Sequence, residues 1–107
     1  MADLSKVEEH LMLAILRLHP NAYGVSIRDL IEERAGIKYS FGTIYAALER
    51  LENKGFINSR EGEPTAERGG KRKLYFTINA LGQATLQHSL MATDVLRRGT
   101  RWKERLA

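Results

Sequence analysis

The 107-residue sequence predicts a mainly α-helical fold with one small β-hairpin. Four stretches repeat apolar residues every three or four positions, which is the spacing of an amphipathic helix. Between the third and fourth stretches, residues 73–78 alternate apolar and polar side chains, which is typical of a strand with one buried face. A chain of this length fits one domain with room for a hydrophobic core.

The first two helices are separated by a turn. The first helix is predicted to begin after a capping residue, Ser5 or Asp3, and to end near Leu18. Residues 19–24 contain a proline and indicate a turn. The second helix is expected to end just before Gly36, because glycine is the favoured residue after a helix end.

The third helix, predicted from Phe41 to about Lys54, has an unusual outer face. Ser40 suits its N-cap, and Gly55 suits the position beyond its end. Its apolar face would consist of Phe41, Ile44, Leu48 and Leu51. Its other face holds Gly42, Thr43, Ala46, Glu49, Arg50 and Asn53. A solvated helix face usually carries more charge and less glycine, so this face is expected to lie close to a partner.

The hairpin is predicted from two strands, residues 56–60 and 73–78, joined by a long loop over residues 61–72. The second strand would have Leu74, Phe76 and Ile78 on one side. A final helix follows from residue 80 to about residue 98, and Asn79 suits its N-cap.

Charge is concentrated locally. The net charge is +4, and residues 97–107 account for all of it with five basic residues and one acid. Bulk charge is therefore a weak argument for a nucleic-acid partner. The loop is more informative, because four cations occur within six residues there: Arg68, Lys71, Arg72 and Lys73. Such a tip suits phosphates or the minor groove, although a solvated loop is the alternative, since three glutamates are nearby.

Three helices, a hairpin with a long tip and a last helix form the winged helix-turn-helix arrangement, in which the second helix of the turn motif enters the DNA major groove. The sequence resembles the PadR family of transcriptional regulators in "LMLAILRLHPNAYGVSIRDLIEE", "GTIYAALERLENKGFI" and "GGKRKLYFTINALG". The resemblance covers roughly residues 8–90. This chain departs from the family pattern at three places: Ala46 replaces a common proline, Gly70-Lys71 a common Arg-Pro, and Asn79 the usual threonine.

The candidate DNA contacts lie on the third helix and the wing. Small residues at positions 42 and 46 would allow close approach, and Arg50 is suited to guanine O6 and N7. A merely solvated face is the alternative. The resemblance implies that Ser40, Thr43 and Tyr45 contact phosphate or groove, that Arg72 and Lys73 are wing cations, and that Tyr75 is the aromatic residue at the wing base. The predicted DNA-binding set is Ser40, Gly42, Thr43, Tyr45, Ala46, Arg50, Arg68, Lys71, Arg72 and Lys73.

The first and last helices each have two apolar sides, and a chain of this size has too little mass to cover all of them. On the last helix Leu81, Ala84, Met91 and Val95 form one stripe around His88, with Leu86 and Leu90 roughly opposite. A homodimer is therefore predicted, and the alternative is a chain that leaves some apolar surface exposed. Its interface would use Met12, Leu13, Leu16, Leu86 and Leu90. Residues 1–79 would form a winged helix-turn-helix DNA-binding domain, and residues 80–107 a C-terminal dimerisation helix with a basic tail. The resemblance also implies a dimer.

Other functional classes have little support. The chain has no cysteine, its three histidines are not at metal-ligand spacing, and no catalytic or phosphate-loop pattern stands out, so neither an enzyme nor a cofactor is expected. The longest strictly apolar run, residues 11–16, is too short to span a membrane, and no signal segment opens the chain, so a soluble cytoplasmic protein is expected. Trp102 would pack or stay solvated, or line a pocket for a small aromatic effector, as in some relatives.

These observations predict a homodimeric repressor that binds double-stranded operator DNA. Repression is implied by the resemblance alone. Two alternatives stay open: a winged-helix adaptor that binds proteins and has no DNA role, and a small-molecule sensor with a pocket at the dimer interface.

Overall fold

The computed structural model describes residues 3–64 and 72–101. Within them lie four helices and one antiparallel two-stranded hairpin, so the predicted mainly α-helical class is confirmed. The elements are α1 (Lys6–Leu18), α2 (Gly24–Ala35), α3 (Phe41–Asn53), β1 (Ile57–Pro64), β2 (Arg72–Ile78) and α4 (Ala80–Arg97). Both strands extend further toward the loop than the sequence pattern predicts.

The helix ends are set by the predicted local signals. Ser5 and Glu8 form a reciprocal capping box at the start of α1, an arrangement in which a capping side chain typically stabilises a helix by about 1 kcal/mol. The Ser40 hydroxyl accepts from the Thr43 backbone N–H at 3.1 Å and caps α3. Gly36 ends α2 in the left-handed region, with φ of 71°.

Asn79 does more than cap α4. Its side-chain oxygen accepts from the Gly82 N–H at 2.8 Å, while its amide donates to the Gly55 carbonyl at 2.8 Å. Its own N–H donates to the Phe56 carbonyl at 3.1 Å. Asparagine therefore keeps the capping oxygen expected at this position and also ties the start of α4 to the end of α3.

One hydrophobic core is built from α1, α2, α3, the hairpin and one side of α4. Its buried apolar members are Leu11, Met12, Ala14, Ile15, Ala22, Ile27, Ile31, Ile44, Ala47, Leu48, Leu51, Phe56, Ile57, Phe76 and Leu86. The hairpin is joined to the α1–α2 turn, because the Phe76 N–H donates to the Ala22 carbonyl at 2.8 Å. This bond fixes the wing against the helices.

Two predictions about core faces are wrong. Phe41 is 42% exposed, and Ala47 takes its place in the core, because the inward face of α3 is centred between Ile44 and Leu51. Leu74 is 48% exposed although it shares a strand side with buried Phe76, because it pairs with Glu61, nearer the loop than the pair of Phe76 and Ser59.

The prediction that Met12 and Leu86 lie in the dimer interface is also wrong. Met12 has no exposed surface and Leu86 has 2%, so both belong to the core of a single chain and cannot meet a partner. Leu90 is half-buried against the same core. The stripe on α4 that faces outward is the other one, with Leu81 56%, Met91 66% and Val95 58% exposed.

The inward side of α4 can approach Phe56 and Ile78 closely because it carries small residues. A Cβ atom at Gly82 would overlap the Phe56 carbonyl oxygen and lie 2.9 Å from Ile78 Cγ1. The helix therefore packs glycine, Thr85 and Leu86 inward, and its larger apolar side chains remain outside.

Candidate nucleic-acid interface

Four of the six residues that the sequence predicted for the outer face of α3 lie opposite the core, and Thr43 and Arg50 lie on its flank. On a helix with 3.6 residues per turn, positions 42, 46, 49 and 53 lie opposite the buried positions, and all four are exposed. Among the described atoms, only Ser40 Oγ lies within 4 Å of a Cβ placed on Gly42, at 3.9 Å. The fold of the described chain therefore does not require glycine there.

The N-terminus of α3 presents a small polar group. Ser40 Oγ accepts from the Thr43 N–H and lies 2.9 Å from Thr43 Oγ1, so the two hydroxyls hold each other at the helix start. Both residues are exposed. Free N–H groups and the partial positive charge of the helix make such an end suitable for a phosphate.

Tyr45 lies on the flank of α3 that faces α2. Its ring covers Gly24, where an added Cβ would approach the tyrosine hydroxyl to 2.6 Å, and Tyr45 nevertheless stays 45% exposed. Phe41 stacks beside it at 6.2 Å between ring centroids. The Arg28 guanidinium covers the Phe41 ring at 4.6 Å. The tyrosine is thus held in place while part of it remains accessible.

Arg50 lies on the opposite flank of α3, which faces α1. Its Nε donates to Glu8 Oε2 at 3.4 Å, and Lys54 Nζ donates to the same oxygen at 2.9 Å. Burial is the largest influence and raises the pKa of Glu8. Hydrogen bonds from Lys54 and Ser5, together with the positive charge of Lys54, outweigh it and hold that pKa below its ordinary value. Glu8 is therefore a buried, charged anchor for the end of α3.

The base of the wing is a cluster of two cations and two aromatic rings. The Lys73 ammonium lies 4.2 Å from the centroid of the Tyr23 ring, and the Arg60 guanidinium lies 4.8 Å from that of Tyr75. The two rings meet edge to face at 5.8 Å. Arg60 also donates to the Pro20 carbonyl at 3.1 Å. Such cation–ring contacts contribute roughly 0.5–1 kcal/mol at exposed sites, so they orient the wing rather than dominate its stability.

A helix-turn-helix with an exposed second helix and a hairpin beside it is shared by several protein families, so sequence comparison decides among them. The profile described as "Transcriptional regulator PadR-like family" matches residues 12–88. The chain belongs to the PadR-like family of transcriptional regulators. Among curated proteins, no sequence matches this chain.

Solved PadR structures have the same fold. The PadR family transcription regulator from hypervirulent Clostridium difficile R20291 superposes with a TM-score of 0.73 at 21% identity, covering 88% of this chain and 93% of that one. The PadR-like transcription factor from Bacteroides fragilis gives 0.71 at 26%, covering 84% and 82%. The PadR family transcriptional regulator from Eggerthella lenta DSM 2243 gives 0.69 at 25%, covering 83% and 75%. The winged-helix prediction is thereby confirmed.

The structure brings together part of the predicted DNA-binding set. Six of its members lie on or next to α3: Ser40, Gly42, Thr43, Tyr45, Ala46 and Arg50. Arg72 is the first residue of β2, and Lys73 follows it at the wing base. Arg68 and Lys71 lie outside the described residues, and so does Trp102, so the predicted wing tip and effector pocket stay predictions.

Three residues that support this PadR surface were missed by sequence reasoning. Tyr23 and Arg60 were assigned to a turn and a strand without a role, yet they hold the wing base. Glu8 was not considered. Its signal was an acid at the third helical position after Ser5, which indicates a capping box, but that pattern cannot reveal a second role toward α3.

Metal and membrane sites find no support in the described chain. Across residues 3–64 and 72–101, no group of three or more acidic or histidine side chains could hold a metal ion. Over the same ranges, each helix is too short or too polar to cross a bilayer.

Proposed function

We propose that this PadR protein is a sequence-specific repressor that binds double-stranded operator DNA as a homodimer. The observation that carries the proposal is the outer face of α3, where glycine and alanine stand at exposed positions beside a capped helix N-terminus. Residues 1–79 would be the DNA-binding part and residues 80–107 the dimerisation part. Repression itself is supported only by the resemblance in sequence.

Each part of the surface would have a different task on DNA. Ser40 and Thr43 at the start of α3 would contact a phosphate, because the helix end favours an anion there. Gly42 and Ala46 would let the helix lie against the groove. Tyr45 would contact the backbone from the α2 flank.

The wing would add contacts that carry little sequence information. Lys73 supports this role, because its ammonium is held at the wing base beside Tyr23. By resemblance, Arg68, Lys71 and Arg72 would extend the same contact toward neighbouring phosphates. Phosphate contacts fix the register of a protein on DNA without reading bases.

The homodimer proposal uses a revised interface. The outward stripe of α4 includes Leu81, Met91 and Val95, and each has more than half of its surface exposed. Leu16 of α1 is 42% exposed and lies two turns after Glu9 on one flank of the helix. The Glu9 carboxylate accepts from Ser89 of α4, so that flank faces the α4 side of the molecule.

Leu13 would join the same interface, since it is 37% exposed on the next row of α1. Isolated exposed leucines are common, but a run of large apolar side chains along one helix is typical of a protein contact. A second copy with the same run on its own α4 would cover both surfaces symmetrically.

Selection of bound duplexes from a random DNA pool would test the proposal. The expected result is a palindromic sequence with half-sites separated by one helical turn or a multiple of it, because a two-fold dimer places its recognition helices at that spacing. A pool that shows no enrichment, and binding that does not weaken with salt, would support the adaptor alternative instead. Transcription in vitro from a promoter that carries the selected site would then distinguish repression from activation.

A further inference from the structure

Glu8 joins the first turn of α1 to the last turn of α3. Its side chain is only 2% exposed, yet it is surrounded by donors. One carboxylate oxygen accepts from the Ser5 N–H at 2.8 Å. The other accepts from Lys54 Nζ at 2.9 Å and from Arg50 Nε at 3.4 Å. A buried carboxylate is tolerated only when it is paired in this way, so these contacts are linked to the fold itself.

The position of Arg50 on its helix agrees with this role. Gly42, Ala46, Glu49 and Asn53 form the outermost line of α3, whereas position 50 lies on the flank toward α1. The Arg50 side chain is 49% exposed, and its contact with Glu8 is made through Nε. Reading a base with Nε would require Arg50 to give up its contact with Glu8.

We infer that Glu8 is a positioning residue for DNA recognition, because it holds Arg50 and Lys54 on α1 so that the outermost line of α3 enters the groove. This inference rests on the proposed DNA-binding function. It assigns Arg50 an indirect role in place of guanine reading. Sequence discrimination then depends on the angle of α3, which Glu8 fixes.

The neighbouring acid extends the connection to α4. Glu9 is 8% exposed, and its carboxylate accepts from the Ser89 hydroxyl of α4. One turn of α1 therefore holds both the recognition helix and the helix proposed to form the dimer. In a dimer built on α4, this turn sets how far apart the two recognition helices stand, which is the quantity that half-site spacing measures.

A double-mutant cycle on DNA affinity tests the inference. Glu8→Gln, Arg50→Ala and the double variant are titrated against the selected operator and against a random duplex of equal length. The Glu8→Gln variant should lose about fivefold to tenfold on the operator and nothing on random DNA, since misplacing α3 affects only specific contacts. Arg50→Ala should lower operator affinity by a similar factor. The double variant should bind the operator no more weakly than the single variant with the lower affinity.

Glu33→Gln is the matched control, because it removes the same charge from an exposed residue of α2 whose side chain makes no hydrogen bond or ion pair with the described residues. It should bind the operator like wild type. Arg50→Ala leaves Glu8 paired with Lys54 and Ser5, so this variant should fold even if Glu8→Gln does not. Selection with Arg50→Ala should then show weaker preference across the whole half-site.

Three results would overturn the inference. The first is relaxation of a single base position by Arg50→Ala, which would make Arg50 a base reader. The second is a full additional loss when Arg50→Ala is added to Glu8→Gln, and the third is equal behaviour of the Glu8 and Glu33 variants. Wild-type protein without any sequence preference would instead refute the proposed function, and the inference would fall with it.

Discussion

Gly42→Ala is expected to stabilise the fold while it weakens DNA binding. A Cβ at this position meets no described atom closer than Ser40 Oγ at 3.9 Å, so the added methyl costs nothing inside the chain. Alanine is favoured over glycine by about 0.5–1 kcal/mol in a helix interior. Position 42 is in the first turn of α3, so a gain of about 0.5 kcal/mol is reasonable.

The two effects can be measured separately. For a domain of this size a gain of about 0.5 kcal/mol raises the melting temperature by roughly 2–4 °C, which circular dichroism resolves. If α3 lies against the groove, the extra methyl group must be accommodated between two packed surfaces, at a cost of about 1–3 kcal/mol. Each 1.4 kcal/mol corresponds to about a tenfold loss of affinity in a DNA titration.

Gly82→Ala is the matched control for this test. It makes the same substitution in the first turn of α4, but its Cβ would overlap the Phe56 carbonyl oxygen, so it should destabilise the fold by about 1–3 kcal/mol. A Gly42→Ala protein that is as stable as expected and binds the operator as tightly as wild type would refute the placement of α3 against the groove.

Four further changes test other parts of the molecule. Ala46→Glu adds bulk and negative charge to the outermost line of α3, so a folded variant should no longer bind the operator; unchanged affinity in a gel-shift titration would exclude α3 as the recognition element. Met91→Glu combined with Val95→Glu should give a monomer by light scattering at micromolar concentration, and a wild-type protein that is already monomeric there would contradict the dimer. Lys73→Ala should weaken binding to all sequences alike and flatten the log–log salt dependence by about one unit, whereas an unchanged slope would place the wing away from DNA. Because the folded-state pKa of Glu8 is lowered, its contribution to stability is present above the ordinary carboxyl pKa and is lost as the pH falls through the lowered value. The denaturation midpoint of wild type should therefore fall more steeply in acid than that of Glu8→Gln. Parallel curves for the two proteins would contradict this.

The sequence was sufficient for features that depend on neighbouring residues. Ser5, Ser40 and Asn79 cap helices at positions where a short polar side chain precedes an apolar repeat. Such caps can be predicted from the sequence because capping bonds reach only three residues along the chain. Gly36 and Gly55 each follow a helix and adopt left-handed backbone angles, which is also a local feature. The order of helices and strands, and hence the winged-helix class, therefore followed from the sequence.

Tertiary packing decided which surfaces remain free. Periodicity shows that α4 has two apolar stripes, but it cannot tell which one meets the core, because that depends on how close the helix can come to another element. Gly82 allows close approach to the Phe56 carbonyl, so the stripe that includes Leu86 turns inward and the one that includes Met91 stays exposed. The contact between Arg50 and Glu8 was hidden in the same way, since the two residues are 42 positions apart along the chain. A helical pattern records which residues share a face, and only the folded chain determines what that face meets.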